Sequence, residues 1–167
     1  MTEPADNRRT MTRVLFVCTG NICRSPTAEG IARALAETAG RQLDFDFDSA
    51  GTLGFHAGEA PDPRAQQRAA LRGYDLSSLR ARKVTDADFE RFDLILAMDR
   101  DHLSWLKKHG PAHLHYKLEL FMSPPRSETT MDVPDPYYGR DRDFDEVLDL
   151  CEIGVRRLIA PAMAPGR

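Results

Sequence analysis

Val14-Leu15-Phe16-Val17-Cys18-Thr19-Gly20-Asn21-Ile22-Cys23-Arg24-Ser25-Pro26 opens as an unbroken apolar run and closes on a proline. A continuous apolar run reads as a central strand covered on both faces. Proline is tolerated in the first turn of a helix, where its missing N–H costs nothing. The intervening residues therefore form a tight strand-to-helix turn, and in an open parallel sheet ligands bind at such turns. Successive backbone N–H groups in that turn make an anion-binding nest, to which the helix N-terminus adds its positive end. Gly20 and Asn21 tolerate the left-handed backbone that such a loop needs. Arg24 supplies a planar fork for two phosphate oxygens.

A cysteine at the start of that nest sits in the same field. Cysteines at helix N-termini beside Arg have pKa values of about 3.5–7.5, against about 8.5 when free. A thiolate in a phosphate cradle is a nucleophile aimed at phosphorus, and Ser25 is placed to hydrogen-bond the sulfur. Taken alone, Cys18 reads as a small hydrophobe ending a buried strand. The Cys-x5-Arg-Ser spacing at a strand–helix junction reverses that reading.

Outward from this stretch, strand-like and helix-like patterns alternate, which argues α/β with a parallel sheet. Leu94–Met98 reads as a second buried strand, and Lys117–Phe121 as another. Asp44-Phe45-Asp46-Phe47-Asp48 alternates strictly, as an edge strand with one wet face does. Helical spacing runs from Pro26 through Ile31, Ala34, Leu35 and Thr38 to Gly40, and again from Pro63 to Arg72 before Gly73. Thr85 reads as the cap of a short helix, and a further helix runs from near Asp99 to Gly110-Pro111. The last helix places Phe144, Val147, Leu148, Cys151, Val155 and Leu158 on one face, with Asp143 and Glu146 in its acidic first turn. The proline-rich stretch 123–139 lacks periodicity and reads as a long functional loop.

The 167 residues carry a net charge of −3 with both signs interspersed, and no basic stripe points to nucleic acid. The apolar runs are far shorter than a membrane span, and the polar start lacks the apolar core of a signal peptide. One domain is expected over residues 11–160, with a disordered tail over 1–10 and a C-terminal tail over 161–167. Three cysteines cannot all pair within one chain, so free thiols in a reducing cytoplasm are expected.

Val14 to Pro26 closely resembles the signature of the low-molecular-weight protein tyrosine phosphatases. The resemblance continues in Asp48-Ser49-Ala50-Gly51-Thr52, in Phe92-Asp93 through Met98-Asp99, and in Asp135-Pro136-Tyr137-Tyr138-Gly139 followed by Asp143-Phe144. It implies a three-layer α/β sandwich, flavodoxin- or Rossmann-like, whose four-stranded parallel sheet runs in the order 2-1-3-4. It implies hydrolysis of phosphotyrosine through a phosphocysteine on Cys18, with Arg24 binding phosphate, Asp135 as general acid, and no metal or cofactor. The phosphate loop is then Thr19, Gly20, Asn21, Ile22, Cys23, Arg24 and Ser25. Asn21, Ser25 and Ser49 match positions that hold this loop in shape, while Phe55, Tyr137 and Tyr138 match aromatics of the substrate crevice. Without the resemblance, these aromatics read as ordinary packing and Asp135-Pro136 as a turn. Pro136 does hold Asp135 in an extended backbone within the long loop.

Further expectations follow, some from the resemblance and some, for His56 and Cys151, from the residues themselves. Arg72 stands where many relatives have a histidine, and is expected to pair with Asp99. Cys23 is either a redox partner that forms a disulfide with Cys18 or a side chain packed under the loop. His56 reads as a solvated loop residue, and Cys151 as core. The partners implied are phosphotyrosine proteins, with the chain a monomer or a weak dimer. Thiol-dependent arsenate reductases share the cysteine loop, but their chemistry needs further redox cysteines, and the region from Ser77 to Asp99 has none. A non-catalytic phosphotyrosine-binding module is the third reading, and the presence of Cys18, Arg24 and Asp135 together argues against it.

Overall fold

A computed structural model of the chain describes residues 10–161. The tails expected over 1–10 and 161–167 lie outside them, save Thr10 and Pro161. The elements run β1 (Thr12–Cys18), α1 (Arg24–Thr38), β2 (Phe45–Gly51), α2 (Pro63–Ala70), α3 (Asp86–Arg91), β3 (Leu94–Ala97), α4 (Arg100–His109), a 3-10 turn over Ala112–Lys117, β4 (Leu118–Leu120) and α5 (Asp141–Ile159). The four strands form one parallel sheet in the order β2-β1-β3-β4.

Alternation along β1 divides the core into two layers. Val14, Phe16 and Cys18 face α1 and α5, where they meet Ile31, Ala32, Leu148, Cys151 and Val155. Leu15 and Val17 face the other way, against Phe89 and Phe92 around α3 and Leu106 of α4. The two layers bury Val14, Leu15, Phe16 and Val17 completely, as the apolar run requires. β2 is the expected edge strand, with Phe47 buried and Asp46 and Asp48 partly exposed.

Local chemistry sets the boundaries. Asp62 caps α2 by accepting from the Arg64 amide, and Thr85 opens α3 in a reciprocal capping box with Asp88. Gly40 and Gly73 adopt φ of 69° and 88° just past α1 and α2, the left-handed backbone that lets a helix stop. α2 ends at Ala70, two residues short of the expected Arg72, and β4 spans three residues rather than five. The sheet order reverses between β1 and β3. The turns that follow these two strands are therefore neighbours, and they carry Cys18–Arg24 and Asp99.

Candidate active site

The loop between β1 and α1 is shaped from behind by Asn21, which is buried and takes φ of 57°. Its side-chain Nδ2 donates to Ser25 Oγ at 2.8 Å and to Ser49 Oγ at 2.9 Å. Its side-chain Oδ1 accepts from the Arg82 backbone amide at 3.0 Å. Ser49 Oγ donates in turn to Glu29 Oε1 at 2.6 Å. Burial raises the Glu29 carboxyl above its ordinary range, against the lowering effect of Ser49 and Arg33. Gly20 does not use a left-handed backbone. A Cβ there would lie 2.9 Å from the His56 ring, which would have to shift to admit a side chain.

Ser25 Oγ lies 2.9 Å from Cys18 Sγ, as the sequence suggests. Cys18 itself is a free thiol. Arg24 is 4 % exposed and held most closely through Nη1. Its Nη1 donates to Asp99 Oδ2 at 2.8 Å and to the Val133 carbonyl at 3.0 Å. Its Nη2 lies 3.5 Å from Thr19 Oγ1 and 3.8 Å from Asp135 Oδ2. Burial works to raise the Asp99 carboxyl, but the His102 amide and ring and the Arg24 guanidinium outweigh it and hold it below its usual range.

The long loop between β4 and α5 brings Asp135 here. It is tied by Met131 N–H to the Met122 carbonyl and by Val133 N–H to the Met98 carbonyl. The buried Arg126 braces it by donating to the Phe121 and Leu120 carbonyls. A crevice of about 260 Å³ results, lined by Cys18, Thr19, Gly20, Ile22, Cys23, Arg24, Leu53, Phe55, His56, Asp135, Tyr137 and Tyr138. Phe55 and Tyr138 are 84 % and 95 % exposed, so neither serves the core. Tyr137 packs edge-to-face on Tyr138 at 4.9 Å.

Nearly every residue the sequence singles out converges on this crevice. Asn21, Ser25 and Ser49 stand behind it as supports. Cys23 is a free thiol in a small cluster with Ile22, Ala65, Ala81 and Phe144. Burial, with Asp62, Cys18 and Asp135 adding to it, pushes its thiol far above the ordinary value. The packed reading thus describes its resting state. His56 is not merely solvated: it lines the crevice and pairs with Glu59 at 2.7 Å.

The expected Arg72–Asp99 pair does not form. Arg72 lies four residues beyond Arg68, in the turn that follows α2, and both side chains reach the acidic residues of α5. There Arg68 pairs with Asp145, and Arg72 with Asp149 and Glu152. Asp99 turns instead to Arg24 and His102. His102, 3 % exposed, escapes the sequence reading altogether. Its signal was the spacing Asp99-x-x-His102, a capping box with imidazole in the usual Glu or Gln position.

Comparison with known proteins agrees with this geometry. The family model for the low molecular weight phosphotyrosine protein phosphatase matches residues 13–164. The low molecular weight protein-tyrosine-phosphatase of Streptomyces coelicolor is 44% identical over 151 residues, covering 89% of this chain and 92% of that protein. The human low molecular weight phosphotyrosine protein phosphatase is 40% identical over 141 residues, covering 83% and 87%. The crystal structure of YfkJ from Bacillus subtilis superposes with a TM-score of 0.84 at 36% identity, covering 92% of this chain and 95% of that one. By fold, by site and by descent, the chain belongs to the low molecular weight phosphotyrosine protein phosphatase family.

Proposed function

We propose that the chain hydrolyses phosphotyrosine and other aryl phosphate monoesters through a phosphocysteine on Cys18, with Arg24 as the phosphate clamp and Asp135 as the general acid and base. One observation carries the assignment of roles. The Asp135 carboxylate lies 3.8 Å from Arg24 Nη2 at the crevice that Cys18 lines, although Asp135 is more than a hundred residues from either partner in sequence. Cys18 Sγ attacks phosphorus while the phosphoryl oxygens rest on the loop amides and Arg24. As the bond to the phenolic oxygen breaks, Asp135 donates its proton there. Water then attacks the phosphocysteine, Asp135 takes its proton, and the S–P bond breaks to release inorganic phosphate. Ser25, 2.9 Å from the sulfur, stabilises it as it arrives and leaves.

The exposed rings of Phe55 and Tyr138 favour a flat aromatic leaving group on a protein surface. Cys151 is fully buried in the α5 core, which leaves the arsenate reductase reading without an outward-passing thiol. Three free thiols among the described residues support a reducing, cytoplasmic setting. Among those residues no helix is long and apolar enough to cross a membrane.

The assignment of Asp135 is tested by comparing leaving groups. General acid–base catalysis is worth about 10²–10⁴-fold, or roughly 3–5 kcal/mol of barrier. Asp135→Asn should slow the pre-steady-state burst from phosphotyrosine by about that factor and affect a very acidic phenol much less. Equal slowing of both would show that Asp135 shapes the loop rather than donating a proton.

A further inference from the structure

The ring of His102 fixes the direction of a hydrogen-bond chain that ends in the crevice. Its Nδ1 lies 3.2 Å from the Asp99 amide. A backbone N–H can only donate, so Nδ1 must present a lone pair. Asp99 Oδ1 lies 3.1 Å from the same nitrogen but forms no hydrogen bond with it, and accepts instead from the His102 amide at 2.9 Å. The proton of the neutral ring therefore sits on Nε2, which is 2.7 Å from Thr19 Oγ1. Arg24 Nη2 lies 3.5 Å from Thr19 Oγ1 and 3.5 Å from His102 Nε2, and with Nε2 protonated only the threonine oxygen of the two is left to accept from it. Guanidinium has donors only, so it cannot accept from the threonine.

A hydroxyl has two acceptor sites and one proton to give. With His102 and Arg24 both directed at Thr19 Oγ1, its own proton must go elsewhere, and Thr19 lines the crevice beside Cys18 and Arg24. We propose that Thr19 is a further catalytic residue, whose hydroxyl donates to a phosphoryl oxygen, and that His102 is the positioning residue which forces it to donate rather than accept. A side-chain donor thus joins the backbone amides and Arg24. The inference rests on the phosphatase reading given above.

The test has two arms. In the wild-type protein, long-range ¹H–¹⁵N correlation of the His102 ring should show the Nε2–H tautomer near neutral pH. In kinetics on p-nitrophenyl phosphate, Thr19→Val should lower kcat/KM and weaken vanadate inhibition together, each by about tenfold or more, the scale of a hydrogen bond to a charged group. Thr19→Ser should restore most of both. His102→Gln should act through Thr19, so that adding it to Thr19→Val costs little more than Thr19→Val alone. An Nδ1–H ring, whose Nε2 lone pair would accept from both Thr19 and Arg24, overturns the proposal. So does a Thr19→Val enzyme with wild-type vanadate affinity and turnover, or additive losses in the double variant. A wild-type protein unable to hydrolyse aryl phosphates would overturn the phosphatase reading itself, a different result from an active wild type indifferent to Thr19→Val.

Discussion

At the scale of single residues, His102 links the site to stability. Burial lowers its imidazole from the usual 6.5 to about 4, against the pull of Asp99 in the other direction. The unfolded chain therefore takes up a proton before the folded one does. The stability contributed by the neutral ring is complete above pH 6.5 and is lost as pH falls toward about 4, a span worth about 3 kcal/mol. Urea midpoints measured across that range should fall more steeply for the wild type than for His102→Gln, which keeps the capping box but cannot titrate. Parallel slopes would show that His102 is protonated in the folded state. This residue also marks where sequence reading stops. Cys18, Arg24 and Ser25 were legible because one contiguous stretch carries the proposed nucleophile, clamp and support. The groups that hold Arg24 are Asp99 and a backbone carbonyl at Val133, 75 and 109 residues away. A carbonyl has no identity in sequence, so no pattern could announce it. Arg72 was misplaced for a related reason: nearness to Gly73 says nothing about which helix its side chain will face.

At the scale of elements, periodicity was informative wherever a face was buried. The apolar stripe of α5 was read almost entirely, because burial against β1 and α1 demands it. The ends were less legible, since β4 pairs only with β3 and stops when its single partner does. Gly154 shows a packing constraint inside that stripe. A Cβ there would stand 2.5 Å from Phe121 Cζ. Phe121 is fully buried and set edge-to-face against Phe16 at 5.5 Å, so it has no space into which to retreat. Gly154→Ala gains about 1 kcal/mol of helix propensity, but overpacking a core costs about 1–3 kcal/mol. The clash should win, and the variant should unfold at lower denaturant than the wild type. An unchanged or higher midpoint would mean that the sheet yields beneath α5.

At the scale of the whole molecule, the sheet order brings the β1 and β3 turns together, and the loop before α5 is laid across them. Val133, two residues before Asp135, donates its amide to the carbonyl of Met98 just past β3 and offers its own carbonyl to Arg24 at the start of α1. The segment carrying Asp135 is thus fastened to the end of β3 and to Arg24 before any substrate arrives. Enzymes whose catalytic groups ride on a mobile lid must move that lid through solvent in each cycle, and such motions often set the turnover rate. Friction should be irrelevant to the chemical step here. Added sucrose, which thickens the medium, should leave the burst rate of phenol release unchanged, whereas a slowing in proportion to relative viscosity would reveal a closing motion. With Asp135 in the proposed role of acid and already in position, the first step is limited by chemistry and by the encounter with substrate.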